Sequence, residues 1–499
     1  MDALSVLFLT PLGDQSGDAG FFRVTQPARR LAARADVASV HVASNFDPNL
    51  DALLEAADVI VVGQLADPDL FPRVSAARER GAVVVFDLAE DLTSLPLLHP
   101  LQGAWVEEQS QRHAFKLAKL ATLFTASNVR LLAHWASVNL RGNLVEEAWP
   151  LEVVAERVAT TERFHIVFHI ELHEYAGARE VVEAVRAWLT VAPHATVEVL
   201  SPEIVHQGFE GFPADRLTLT TTRDPLRRAE ALQRADVAIL TLDESDYSHR
   251  TSDLRWLEAA ANGAIVLAPK RGAYADRITH GANGIHYREP DEVIPALDRL
   301  SSDVELCAHV RRTAADQVRH ERSLDASLDE QVRYWRRFLK VDRSKARTAL
   351  PPREGGTLSA YEHALYEGIF AMSTLKDHAA ARVEFERASE LEPGSAEPPM
   401  LLARVCPNPV AFAVSALEKA PSSLRGHVLL GDALQDAGQH QDALAIYQRT
   451  AELFPSWELP YLRVALLLEG LGMKTESEQF IRMAADVATF LEEAVEARA

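Results

Sequence analysis

Short apolar runs alternate with amphipathic stretches through the first two thirds of this chain. The runs Leu4–Leu9, Val37–Ala43, Val59–Gly63, Ala82–Leu88 and Leu123–Ser127 predict strands. Between them, Phe21–Ala33, Asp69–Arg80 and Val106–Leu120 carry helical periodicity. Such alternation predicts an α/β domain with a parallel sheet covered by helices on both faces. A second block repeats the scheme. It has strands at Phe164–Ile170, Thr196–Leu200 and Leu217–Thr221, with helices at Ala178–Ala192 and Pro225–Arg234. Asp236–Leu242 is then a buried strand, DESDYSHRT a polar loop, and Ser252 the start of a helix with Leu254, Leu257 and Ala261 on one face. Asn262-Gly263 ends that helix and Ala264–Ala268 forms the next strand. Further on, Leu324–Leu339 predicts an amphipathic helix presenting Leu328, Val332, Trp335 and Leu339.

The stretch from Val341 to Leu358, VDRSKARTALPPREGGTL, concentrates charge, Pro and Gly and reads as a linker. From Ser359 the pattern is helical and repetitive. Pro421 and Pro455 stand 34 residues apart, with Leu430-Gly431, Leu434, Ala443 and Tyr447 between them. Leu468, Ser477, Ile481 and Ala484 follow one period later; Ala381, Phe385, Ala388 and Pro393 form an earlier copy. This spacing resembles tetratricopeptide repeats, in which small residues let paired helices approach and an aromatic fills the space between them. The expected organisation is a first domain over 1–150, a second over 151–345, a linker over 346–358 and an all-α repeat domain over 359–499.

Composition narrows the function classes. At 499 residues the chain is too long for one core. The net charge of −21 argues against nucleic acid and anionic membranes as main partners. Residues 351–499 hold 22 acidic against 12 basic residues, as expected of a solvated helical surface or of one that selects basic peptides. Cys307 and Cys406 are too few and too distant for a disulfide framework or thiolate metal site. The opening MDALSVLFLTPLGDQ lacks a basic n-region and reads as a strand, no run reaches membrane-spanning length, and a cytoplasmic location is expected.

The chemistry concentrates between Ala235 and Gly284. A loop joining a parallel strand's carboxyl end to a helix amino end is where open α/β sheets hold ligands, and free N–H groups there favour phosphate. Leu257-Glu258-Ala259-Ala260-Ala261-Asn262-Gly263 matches the L-E-A-x-A-x-G context of the group-1 (family 4) glycosyltransferases. The resemblance covers residues 1 to about 345. It implies the GT-B fold, two Rossmann-like domains flanking a cleft, 1–150 on the acceptor side and 151–345 holding the nucleotide-sugar donor, with the last helix crossing back onto the first domain. It also implies a nucleotide-diphosphate sugar, UDP- or GDP-linked, as substrate, with no cofactor and no metal, and retention of anomeric configuration. Glu258 corresponds to the glutamate that grips the donor ribose, at a helix position expected to be exposed. Ser252 is expected to cap the helix beside the diphosphate, with Arg255 one turn in. Relatives usually carry a further glutamate eight residues before the ribose glutamate; Arg250 stands there and is expected to face phosphate. Where they carry an Arg and a Lys after the first donor-domain strand, this chain has His169 and His173.

Toward the first domain, Gly13 and Gly20 in a glycine-rich loop permit close backbone approach to a ligand. Arg23, in R-V-T-Q-P-A, resembles the arginine of the family's R-x-x-x-P-A segment and serves either site or fold. Asp87-Leu-Ala-Glu-Asp91 resembles an acidic stretch of polysaccharide glycosyltransferases. Asp91 there orients an acceptor hydroxyl or acts as base, or else caps the following segment. Asp67-Pro-Asp69 matches a metal-binding D-x-D only formally and reads as a helix cap. The expectation is transfer of a sugar to a protein or glycan acceptor, with the repeats recruiting the acceptor or a protein partner. The alternative is a non-catalytic scaffold.

Overall fold

The structure, a computed structural model, describes residues 3–11, 20–96, 110–154, 163–171, 174–222, 224–340 and 359–496. Gly13, His173 and the expected linker 346–358 lie outside the described residues. The chain forms two compact units: Met1–Ala43, Ala52–Ala66 and Ala76–Gly356 in one, Ser44–Asp51, Asp67–Ser75 and Thr357–Ala499 in the other.

The first unit holds two parallel-sheet α/β domains. Strands β1 (Leu4–Thr10), β2 (Val37–Ser44), β3 (Val59–Gly63), β4 (Val83–Leu88), β5 (Leu123–Ala126) and β6 (Gly142–Leu144) form a sheet ordered β2-β1-β3-β4-β5-β6. Strands β7 (Phe164–His169), β8 (Ala195–Leu200), β9 (Leu217–Thr220), β10 (Val237–Leu240), β11 (Ile265–Pro269) and β12 (Ile285–Tyr287) form another, ordered β12-β11-β10-β7-β8-β9. Central strands such as β4, VVVFDL, are buried along their whole length because helices cover both faces. The sequence pattern located every strand except two of three residues each, β6 (Gly-Asn-Leu) and β12 (Ile-His-Tyr), which are too short to write a pattern.

Helix boundaries depart from the pattern for identifiable reasons. Phe21–Ala33 splits into a π-helical turn, Gly20–Thr25, and an α-helix, Gln26–Ala32, at whose first turn Pro27 lacks an N–H to donate. The polar loop after β10 contains a helical turn, Asp246–His249, whose Ser245 side chain caps Ser248 N. The next helix is Leu254–Ala261, two residues later than expected. Helices Leu50–Ala56 and Val129–Trp135 were absent from the pattern altogether. The helix Leu324–Phe338 buries Leu324, Leu328, Val332 and Trp335 against Leu4, Val6, Phe8, Val83 and Val85 of the first sheet. The chain therefore passes between the two domains twice. The passages lie side by side, with Trp149 N bonded to Arg322 O at 2.9 Å. No helix among the described residues is long and apolar enough to cross a membrane.

In the second unit, consecutive helices from Ala360–Phe370 to Lys474–Glu496 pack on their neighbours. Ser359 and Glu362 open the array with reciprocal capping bonds. Glycines are used where aromatic rings arrive: a Cβ on Gly368 would lie 2.4 Å from the Phe385 ring, and one on Gly431 2.2 Å from the Tyr447 ring. Ala381, Ala388 and Ala443 are buried at the matching helix contacts. Ile481, at the position equivalent to Tyr447, is 47% exposed. Inside this unit Arg425 forks onto Glu397 at 3.1 and 2.7 Å and lies 3.6 Å from Asp67. Asp69 accepts from the Ser423 hydroxyl at 2.5 Å. Asp67 and Asp69 thus serve this packing, Asp67 also capping Asp69 N.

Gly431→Leu is expected to destabilise the helical unit by about 1–3 kcal/mol, since the ring of Tyr447 must move. Gly394→Ala, where nothing lies within 4 Å, is the matched neutral change. Urea denaturation followed by circular dichroism measures both; equal midpoints contradict the packing argument.

Candidate functional site

The chain runs from β7 outward through β8 and β9, then returns to place β10 on the other side of β7. Strand order reverses there, so the crevice outside the carboxyl ends of β7 and β10 is the natural ligand position. His169 ends β7, Ser201 follows β8 and Thr241 follows β10. The hydroxyls of Ser201 and Thr241 are buried with no hydrogen-bond partner among the described residues. Two such groups flanking one strand, roughly 10 Å apart, are polar capacity that the fold leaves unspent. Gly177 lets the helix Tyr175–Leu189 approach the β10 loop: a Cβ there would lie 3.3 Å from Asp243 Cβ.

Glu258 lies at this crevice but is not exposed as the helix pattern implied. It is 1% exposed, and Arg228 donates to its Oε1 from Nε at 3.2 Å and Nη2 at 2.8 Å. The single apolar stripe expected of Leu254–Ala261 is in fact a helix buried almost all round. Arg255 is likewise engaged, with Nη1 2.6 Å from Glu174 Oε2. Burial holds the Glu174 carboxyl above its usual range despite Arg255. Ser252 does not cap the helix from the N-cap position, which Asp253 occupies; its hydroxyl accepts from Leu254 N at 3.3 Å. His169 is pushed down to about 4, first by burial and then by the nearby Arg255 charge, so near neutrality it is an uncharged ring. Gly20 is buried at the start of the π-helical turn.

The carboxyl edge of the first sheet bonds directly to the loop after β10. Arg250 Nη1 lies 2.5 Å from Asp91 Oδ2 and Nη2 lies 3.2 Å from Asp246. Asp91 also accepts from Thr93 N and Oγ1 and from Ser94 Oγ. Burial works to raise its proton affinity, but these donors and Arg250 outweigh it and hold the carboxyl below the usual range. That arrangement suits a fixed acceptor for Arg250 and a cap for its own turn, and ill suits a proton carrier. Beside it the Tyr247 hydroxyl donates to Glu90 at 3.0 Å, and Asn128 Nδ2 donates to Arg250 O at 2.7 Å. Arg23 serves the fold: it forks onto Asp87 at 2.8 and 2.5 Å and reaches Val145 O.

A second network lies where the chain passes between domains. Asp253 receives both Arg322 Nη atoms at 2.8 Å and Arg277 Nε at 2.6 Å. Arg322 Nε donates to Glu147 O at 2.7 Å. The Glu147 side chain is buried, with Oε1 3.3 Å from Arg23 Nη1 and Oε2 without a hydrogen-bond partner among the described residues. Burial raises it to about 7; Arg23 and Arg322 oppose the shift and Asp253 adds to it.

Several of these groups escaped the sequence reading. Arg228 left a trace, since it shares the helical stripe of Pro225, Ala229 and Leu232 that packs inward. Ser201 and Thr241 left one too, as polar residues directly after apolar strands. Glu174 and Glu147 left none.

With this geometry, the likenesses to known proteins can be placed. Residues 179–332 match the family model described as Glycosyl transferase-like, so the second domain is glycosyltransferase-like. HepE from Anabaena, solved in complex with UDP-glucose, is similar at 14% identity and TM-score 0.50, over 67% of this chain and 100% of its own. A glycosyltransferase from Rickettsia africae is similar at 11% identity and TM-score 0.47, over 68% and 100%. No curated protein matches the chain. At such identity the likeness to HepE is one of fold: two parallel-sheet α/β domains of the GT-B type.

Glu258→Ala is now expected to cost about 3–5 kcal/mol, because it strands the Arg228 charge in the interior. The pair Arg228→Met with Glu258→Leu should recover most of that. Denaturant midpoints decide; a silent Glu258→Ala contradicts the buried pair.

Glu147 sets a pH dependence. Its folded value lies above the unfolded 4.5, so the folded state holds the extra proton between pH 4.5 and 7. Stability is full below that window and falls as pH rises through 7, by on the order of 3 kcal/mol. Glu147→Gln should flatten this fall, measured as the difference in unfolding free energy between pH 5 and pH 8.

Proposed function

We propose that the chain is a glycosyltransferase moving a sugar from a nucleotide-diphosphate donor, UDP- or GDP-linked, to a glycan or protein acceptor. The observation that carries this reading is the Glycosyl transferase-like match over 179–332, the segment containing Glu258 and the crevice at β10. The HepE complex with UDP-glucose supports a nucleotide sugar as the donor. In this reading the ribose hydroxyls meet Glu258, already oriented by Arg228, and the buried Ser201 and Thr241 hydroxyls gain partners. Arg250 leaves Asp91 to meet the departing diphosphate, where a cation stabilises developing charge. Retention of configuration and independence of metal belong to the same proposal, as does a cytoplasmic setting. The helices from Ser359 onward are read as tetratricopeptide-type repeats that recruit the acceptor or a protein partner.

A second reading, a non-catalytic scaffold, draws on one observation. Arg228, Arg250 and Arg255 all have carboxylate partners within the chain. Each must exchange or share a partner to serve a diphosphate.

Thermal shift with UDP and GDP separates the readings. Ligand at a hundredfold excess over its dissociation constant stabilises by about 2.7 kcal/mol, so a donor nucleotide raises the melting temperature. Arg250→Ala should reduce turnover with the matching nucleotide sugar while leaving the nucleoside monophosphate shift in place. A flat response to both diphosphates favours the scaffold.

A further inference from the structure

The three arginines at the crevice hold their carboxylates on different terms. Arg228 and Glu258 are closed off together in the interior. Arg250 pairs with an acceptor that can stand alone, since Asp91 keeps its bonds from Thr93 and Ser94 if the guanidinium departs. Glu174 follows β7 and Arg255 lies in the first turn of the helix after β10, so this third pair meets at the crevice itself. Arg255 is its reachable member, with a side chain 15% exposed against 3% for Glu174.

Glu174 has little to fall back on. Among the described residues its carboxylate accepts from Arg255 Nη1 at 2.6 Å and from Glu171 N at 3.2 Å, and from no other group. The other titratable groups that face it offer no replacement. The Glu171 charge repels it, and Tyr247, Tyr274 and Tyr287 are phenols that burial pushes up and keeps neutral. His169, at the end of β7, is an uncharged ring near neutrality. Burial already holds the Glu174 carboxyl above its usual range, with Arg255 opposing. A carboxylate so placed keeps its charge by virtue of its guanidinium. Beside it, the buried hydroxyls of Ser201 and Thr241 have no hydrogen-bond partner among the described residues, and a phosphate oxygen accepts from such groups.

We propose that the Glu174 carboxylate holds the anion position on Arg255 in the free protein, and that the donor's diphosphate displaces it, Glu174 taking one proton from solvent as it gives up the guanidinium. That the anion is a donor's diphosphate rests on the glycosyl-transfer reading; that Arg255 marks an anion position does not. Two anions cannot both remain charged against one guanidinium in the interior, and the diphosphate, unlike Glu174, cannot neutralise itself near pH 7. The sign follows. Glu174 binds its proton more tightly in the complex than in the free protein, so donor affinity falls as pH rises, by up to about tenfold per pH unit. Glu174 thus limits affinity for the donor and makes it depend on pH.

Titration calorimetry of the full chain with UDP-glucose and GDP-mannose tests this, because their diphosphates do not titrate near neutrality. In buffers of different ionisation enthalpy it counts protons, and uptake of about one is expected with whichever donor binds. This count uses the unaltered chain and so does not depend on how a variant folds. Glu174→Gln should bind that donor about tenfold or more tightly at pH 8, with neither proton uptake nor pH dependence. Sulfate, a dianion throughout this range, is the second probe. It should raise the melting temperature of Glu174→Gln more than that of the unaltered chain. It should also raise it more than that of the pair Glu174→Leu with Arg255→Met, which lacks the anion position. Donor binding without proton uptake overturns the proposal. So does uptake that persists in Glu174→Gln, which assigns the proton to His169, or an equal sulfate response in all three proteins. Silence of both donors with the sulfate differences intact tells against the transfer reading alone.

Discussion

Removing an ion from water costs several kcal/mol even after the interior relaxes, so a buried guanidinium persists only where a carboxylate receives it. The first unit is organised around that requirement. Arg23 meets Asp87, Arg228 meets Glu258, Arg255 meets Glu174, Arg311 meets Asp236 and Arg322 meets Asp253. Arg23–Asp87 joins a helical turn to a strand, Arg228–Glu258 and Arg255–Glu174 join helices to one another, and Arg322–Asp253 ties the passage between domains to the start of the helix that carries Glu258. Hydrophobic packing builds each sheet's cover, but it is indifferent to small slides. The forked pairs are directional, and they set where the polar edge of each sheet points.

Much of the architecture was legible because parallel strands buried on both faces write short apolar runs, and helices between them write a 3.6-residue period. What periodicity gives is one face of one element. It located the helix of Glu258 but gave it a wet side, because Arg228 approaches from another helix 30 residues earlier. The same blindness hid the Asp91–Arg250 pair, whose members lie 159 residues apart in loops of different domains. His169 was correctly placed at a strand end, yet its protonation depends on burial and on Arg255, which no local pattern encodes. Ser252 was misplaced by two residues because the preceding turn, Asp246–His249, is too short to show a period.

The helical region from Ser359 onward illustrates the opposite case. Its spacing of small and aromatic positions anticipated contacts that are purely local, such as Gly431 with Tyr447, so sequence proximity and spatial proximity coincide. Where that coincidence ends, at Ile481, the residue type is kept while its burial is lost.

The two passages of the chain between the α/β domains run side by side at Trp149 and Ser323, joined by a backbone hydrogen bond. A single connection would leave the domains free to swivel about three axes. Two adjacent, bonded connections define a line, and rotation about that line is the one large motion that breaks neither. Apart from these passages in the chain, the two domains are also joined by Arg250–Asp91, Tyr247–Glu90, Asn128–Arg250 and Arg130–Asp276. Parting the two domains therefore means giving up polar bonds between groups far apart in the chain, each of which water must then satisfy.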